Sequence, residues 1–158
     1  MLKLYNLTNT RKEYWETWEN NDGTHTVHLG KLGEKGESKI IKSSIFKKAE
    51  TLIQKEIDEL ISKGFQPLED DEQNRLIIEY SIDGTGTKED LEKRHRLENR
   101  MNETLGWTGL GHCDGGSIGS GTMEVCNYVV DFELAKEIIE NELNETEFSD
   151  YNRIYLEE

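Results

Sequence analysis

The residues of this chain best equipped for chemistry form one short run, His112-Cys113-Asp114, with a second cysteine downstream at Cys126. An imidazole, a thiol and a carboxylate side by side are the parts of a nucleophilic or a metal site. The spacing argues against both. Zinc needs four convergent ligands, whereas neighbouring residues on a strand point to opposite faces, and neither Cys-x-x-Cys nor His-x-x-x-His occurs. The other histidines, His25, His28 and His95, have no motif that ties them to Cys113 as a base. Both cysteines are therefore expected as small packed apolar groups. No residue is assigned a catalytic role, and no metal or cofactor is expected. His112, Asp114 and Ser117 remain candidates for holding a small ligand or for an enzymatic site, because glycines crowd the segment around them, over residues 109–121. Glycine within a strand marks a bulge or the close approach of a ligand or another backbone.

A second candidate is electrostatic. Lys31, Lys35, Lys39, Lys42, Lys47 and Lys48 stand against only Glu34 and Glu37 between residues 31 and 48. Such a patch serves phosphate contacts only if its cations are uncompensated. The plainer reading is a solvated strand edge that discourages further pairing. Gly30 and Gly33 lack the spacing of the glycine-rich phosphate cradles. The run Lys93-Arg94-His95-Arg96 reads as a helix face compensated by Glu89, Glu92 and Glu98.

The elements that must position these residues follow from periodicity. Tyr14-Trp15-Glu16-Thr17-Trp18 alternates like a strand, Asn20-Asn21-Asp22-Gly23 suits a tight turn, and residues 24–29 return. A second hairpin at Gly33–Gly36 leads to a strand over Lys39–Lys42. Beyond Ser43 and Ser44, either of which can cap, the period changes. Ala49, Leu52, Ile53, Ile57, Leu60 and Ile61 form one helix face that Gly64 ends. Trp15 and Trp18 sit three apart on one strand, so one indole must face away from its own core and offers a docking surface.

This order, with Leu29-Gly30-Lys31-Leu32-Gly33-Glu34-Lys35-Gly36 and the ending Lys63-Gly64-Phe65, resembles the WGR domain over residues 1–66. The family signature is Trp-Gly-Arg, then an aliphatic residue, Gly, two variable residues and Gly. Here Leu29 and Lys31 replace the tryptophan and the arginine. The resemblance implies binding of nucleic-acid ends or neighbouring domains, as in poly(ADP-ribose) polymerases. Leu29 cannot stack as an indole does, and Lys31 loses the bidentate fork of arginine.

From residue 76 the pattern reads strand (76–82), helix (88–105), strand (107–117), strand (122–130), helix capped by Asp131, and strand (151–156). That βαββαβ order is the ferredoxin-like arrangement. With Asp114-Gly115-Gly116-Ser117-Ile118-Gly119-Ser120-Gly121-Thr122 it resembles small bacterial proteins of that fold with no settled activity. A two-residue Gly119-Ser120 turn would pair Cys113 with Cys126, Gly111 with Tyr128 and Asp114 with Val125. The thiols would then face each other, unbridged, with His112 and Asp114 on the other side of the sheet.

Charge divides the chain the same way. The formal net charge is −14, of which residues 71–158 carry −13. The only proline, Pro67, lies at the break, so residues 67–75 are read as a linker between a 1–66 domain and an acidic 76–158 domain. The two halves are expected to dock. The start carries no signal-peptide pattern, no apolar run approaches a membrane span, and two cysteines make no disulfide framework. The expectation is an α+β cytoplasmic interaction protein with a protein partner and no membrane association. Its binding candidates are Trp15, Trp18, Leu29, Lys31, Lys35, Lys39, His112, Asp114 and Ser117. Nucleic-acid binding through the lysine face is the alternative.

Overall fold

A computed structural model describes residues 1–8 and 10–158, apart from the side chain of Asp70. Among the described residues the protein is mixed α/β, with three α-helices and two antiparallel four-stranded sheets. It divides into two compact units, Met1–Glu69 and Asp70–Glu158. Among the described residues no helix is long and apolar enough to cross a membrane.

The first unit is a meander of β1 (Leu2–Asn6), β2 (Glu13–Glu19), β3 (His25–Lys31) and β4 (Glu37–Ile41), in that spatial order, followed by α1 (Ala49–Ser62). Strand β1 has no counterpart in the periodicity reading. Alternation places Leu4, Trp15 and Val27 on the helix side of the sheet, where Ile53 and Phe65 complete a buried core. Trp18, on the opposite face, is half-buried. The first hairpin closes at Glu19 and His25, so residues 20–24 form a five-residue loop rather than a tight Asp-Gly turn. Asp22 shapes that loop by accepting from the Thr24 hydroxyl and amide.

Helix α1 starts later than its possible caps suggest. Ser44 is spent on a local turn, accepting from the Phe46 and Lys47 amides, while the Ser43 hydroxyl reaches forward to the Ala49 amide at 2.9 Å. The helix ends in a Schellman motif. Gly64 N–H bonds to the Ile61 carbonyl and Phe65 N–H to that of Leu60, which swings Phe65 into the core.

The second unit runs β5 (Asn74–Ser81), α2 (Lys88–Trp107), β6 (Gly111–Gly119), β7 (Thr122–Val129), α3 (Phe132–Leu143) and β8 (Arg153–Glu157). Its strands lie in the order β6-β7-β5-β8. Thr87 and Asp90 form a reciprocal capping box at the start of α2, and Asp131 accepts from Leu134 N–H to cap α3. Residues 107–110, expected as the start of a strand, instead finish α2 and turn into β6. Leu97, Met101 and Leu105 of α2 and Ala135, Ile139 and Leu143 of α3 are fully buried with Leu76, Ile78, Val125 and Val129 of the sheet. The α2 cations are compensated mainly at long range. Arg94 pairs with Glu98, but Lys93 reaches Asp150, Arg96 reaches Glu147 and Arg100 reaches Glu142.

Candidate functional site

The hairpin that carries His112-Cys113-Asp114 is built differently from the register expected. Gly119 pairs with Thr122, so the turn is Ser120-Gly121, both at positive φ, 54° and 88°. That is the type I′ geometry that matches strand twist. The ladder then slips between Cys113 and Gly115. Asp114 is the extra residue of a β-bulge, and Gly115, at φ 109°, supplies a backbone conformation that side-chain-bearing residues avoid. Cys126 consequently lies opposite Gly115, Cys113 opposite Asn127, and His112 opposite Tyr128.

This register separates the thiols. Cys113 N–H donates to Asn102 Oδ1 of α2 at 3.0 Å, and its strand partner Asn127 is fully buried, so Cys113 lies on the helix side. Burial pushes its thiol up to about 11, which keeps it protonated and a poor nucleophile. Cys126 lies on the other face, where Arg75 Nε donates to its sulfur at 3.0 Å and the same guanidinium pairs with Glu157. The expected facing of the thiols is therefore wrong, because the bulge adds a residue to β6 and sets Cys113 opposite Asn127. Both thiols are free, and His112 and Asp114 lie across the sheet from Cys113 but on the side of Cys126. His112 and Asp114 do share one cavity, of about 530 Å³, with Asp71, Gln73 and Tyr128. No hydrogen bond joins them, and the His112 ring lies instead against Tyr128, centroids 5.8 Å apart. Ser117 donates to Glu124 at 3.3 Å and takes no part in that cavity. Among the described residues no group of three or more His, Cys, Asp or Glu is placed to hold a metal ion.

In the first unit the glycine-rich segment over residues 29–36 folds tightly on itself. A Cβ at Gly36 would collide with the Leu29 carbonyl and the Tyr14 hydroxyl, so the loop closes only with glycine there. Beneath it runs a buried polar relay. Lys3 pairs with Glu16 at 3.2 Å, Glu16 takes His28 Nδ1 at 2.7 Å, and the Tyr14 hydroxyl stands 3.2 Å from His28 Nε2 while donating to the Glu34 carbonyl. Beside the loop opens a groove of about 350 Å³, whose lining includes Arg11, Leu29, Lys31, Lys35, Leu60 and Phe65.

The structure gathers some of the candidates and scatters others. Leu29, Lys31 and Lys35 meet at this groove together with Trp15, but Trp15 is 1% exposed and serves the core, donating its indole N–H to Glu56 at 3.0 Å. Two of the lysines are compensated. Lys31 pairs with Glu34 at 2.9 Å and holds that carboxyl below its ordinary range, and Lys39 pairs with Glu56 at 2.7 Å.

Ile45 and Phe46 were missed by the periodicity reading. They project from the knuckle between β4 and α1, 96% and 91% exposed, with Lys42, Lys47 and Lys48 flanking them in the sequence. Their signal in the sequence is an apolar pair that belongs neither to a strand alternation nor to the helix stripe. Asp71, Gln73 and Tyr128 were also missed as companions of His112, since only the bulged register brings them together. Comparison with family models, with curated proteins and with solved structures finds no match to this chain.

Proposed function

We propose that this chain is a cytoplasmic, non-catalytic interaction protein, with a WGR-like first unit and a ferredoxin-like second unit. A four-strand meander followed by one helix supports the first assignment, as does the glycine-closed signature loop. The strand order β6-β7-β5-β8, with helices after β5 and β7, supports the second. The observation that carries the reading is the Ile45-Phe46 knuckle. Two large apolar side chains held almost wholly in water by a hydrogen-bonded turn gain free energy on burial in a partner. The surrounding lysines select a partner whose apolar recess has an acidic rim. A protein surface offers that combination. The ion pairs of Lys31 and Lys39 weaken the case for DNA, whose affinity depends on uncompensated cations.

The test places a photo-crosslinking phenylalanine analogue at position 46, with position 88 as an exposed control, in cells that make the protein. A discrete protein adduct at 46 that is absent at 88 is the expected result. Fluorescence anisotropy with blunt, nicked and single-stranded DNA runs in parallel. Tight, salt-sensitive DNA binding that Lys31→Ala abolishes, with no protein adduct, would replace this reading by the nucleic-acid one.

A further inference from the structure

The bulge at Asp114 has a chemical consequence beyond the cysteines. It turns one carboxylate onto the open face of the second sheet, beside His112 and Tyr128. Asp71 and Gln73, just ahead of β5, complete a cavity of about 530 Å³, a size that suits a small organic ligand. Among the described residues its lining contains two carboxylates, an amide, an imidazole and a phenol, and no lysine or arginine. The nearest strand cation, Arg75, stands directly across the ladder from Tyr128. Its guanidinium is engaged by the Cys126 sulfur and Glu157 and is not part of the lining.

The two rings, 5.8 Å apart and tilted by 31°, give the cavity an aromatic wall. A ring face attracts a cation through its quadrupole and also accepts the methylene or methyl groups attached to it. The surrounding unit carries most of the chain's −14 charge, and its field concentrates cations at this surface. The carboxylates and the imidazole do not converge as a metal-ligand set among the described residues. A bare metal ion is thus a poorer fit than an extended cation that spans from carboxylate to ring.

We propose that the Asp71–His112–Asp114–Tyr128 cavity binds an alkylammonium group, whether of a free amine or of a lysine side chain. The ammonium head sits between the Asp71 and Asp114 carboxylates, and its carbon chain lies along the His112 and Tyr128 rings. This goes beyond the knuckle of the first unit and stands independently of it.

The test is a titration of the full-length chain, followed by amide NMR and calorimetry at about 0.15 M salt, where diffuse surface attraction is largely screened. The probes are spermidine, tetramethylammonium and Nα-acetyl-lysine methylamide. The expected result is saturable binding of at least one probe, with shifts confined to residues around Asp71–Gln73, His112–Gly115 and Tyr128. Tightest binding of spermidine marks a free amine as the source, and tightest binding of the lysine derivative marks a protein side chain. Asp114→Asn, on an exposed bulge, and Tyr128→Leu should each weaken binding about tenfold. Glu137→Gln on α3 should leave it unchanged. Non-saturating shifts spread over α2 and α3, or equal affinity in all the variants, would overturn the proposal. Near-ultraviolet circular dichroism of each variant verifies that the fold is retained.

Discussion

Tyr14 holds together three parts of the first unit: the relay through His28 to Glu16, the Glu34 carbonyl, and the close-packed Gly36. Burial raises its phenol from an ordinary 10.0 to about 12, helped by the Glu16 charge and opposed by a hydrogen bond from the Gly36 amide. The sign of the linked stability follows directly. In the unfolded chain the phenol loses its proton near 10, while in the folded chain it keeps it up to about 12. The unfolded state therefore binds fewer protons across that interval, and stability falls as pH rises through it. Below pH 10 the contribution is complete. Urea midpoints measured between these limits should decline, and Tyr14→Phe should flatten part of the decline. Tyr5 in the same unit and Tyr80 in the other are also shifted upward by burial and account for more of it. An equally steep fall in the Phe variant would mean that Tyr14 ionises as freely as in the unfolded chain. Nothing in the alternation of residues 14–18 announces this relay. It needs His28 and Glu16 as direct cross-strand partners, which is a matter of register.

At the scale of elements, the bulged β6–β7 hairpin decides what the cysteines can do. Had Cys113 and Cys126 formed a facing pair, their Cα atoms would stand roughly 4.5–5.5 Å apart, within reach of a disulfide. Instead they occupy opposite faces, one under α2 and one against Arg75. Mild oxidation with diamide should therefore leave both thiols countable after unfolding, with no intramolecular bridge by mass spectrometry. A Cys113–Cys126 disulfide formed in the native protein would show that the bulge does not hold the register. The elements themselves were largely legible. The Asp131 cap, most of the α1 stripe and the Gly64 stop are local signals that act where the residues suggest, although Ile61 of that stripe is exposed. Register was not legible. In a segment with glycine at 111, 115, 116, 119 and 121, several turns satisfy the local chemistry equally, and only packing against α2 and β7 selects among them.

For the whole molecule, each unit has an apolar core of its own: Leu4, Trp15, Val27, Ile53 and Phe65 in the first, and the fully buried Leu97, Met101, Leu105, Ile139 and Leu143 with sheet residues in the second. Residues 70–158 expressed alone should accordingly melt cooperatively, with native near-ultraviolet dichroism. Met101→Ala should destabilise that fragment by about 2–5 kcal/mol, as expected when a fully buried side chain leaves a cavity. A broad, non-cooperative melt of the fragment would mean that its core is not self-sufficient. What the sequence determined unaided is what depends on neighbours a few residues apart: the helices with their caps and stripes, most of the strands, the mixed α/β class, and the charge break near Pro67. Those preferences act through backbone sterics, hydrogen bonds within a turn or two, and the burial of one face. Tertiary structure alone decided the pairing of Gly115 with Cys126, the separation of the thiols, the meeting of Asp71 with His112 and Tyr128, and the exposure of Ile45 and Phe46. Each of these depends on contacts between residues far apart in the chain. Their free energy comes from burying surface that no local window contains.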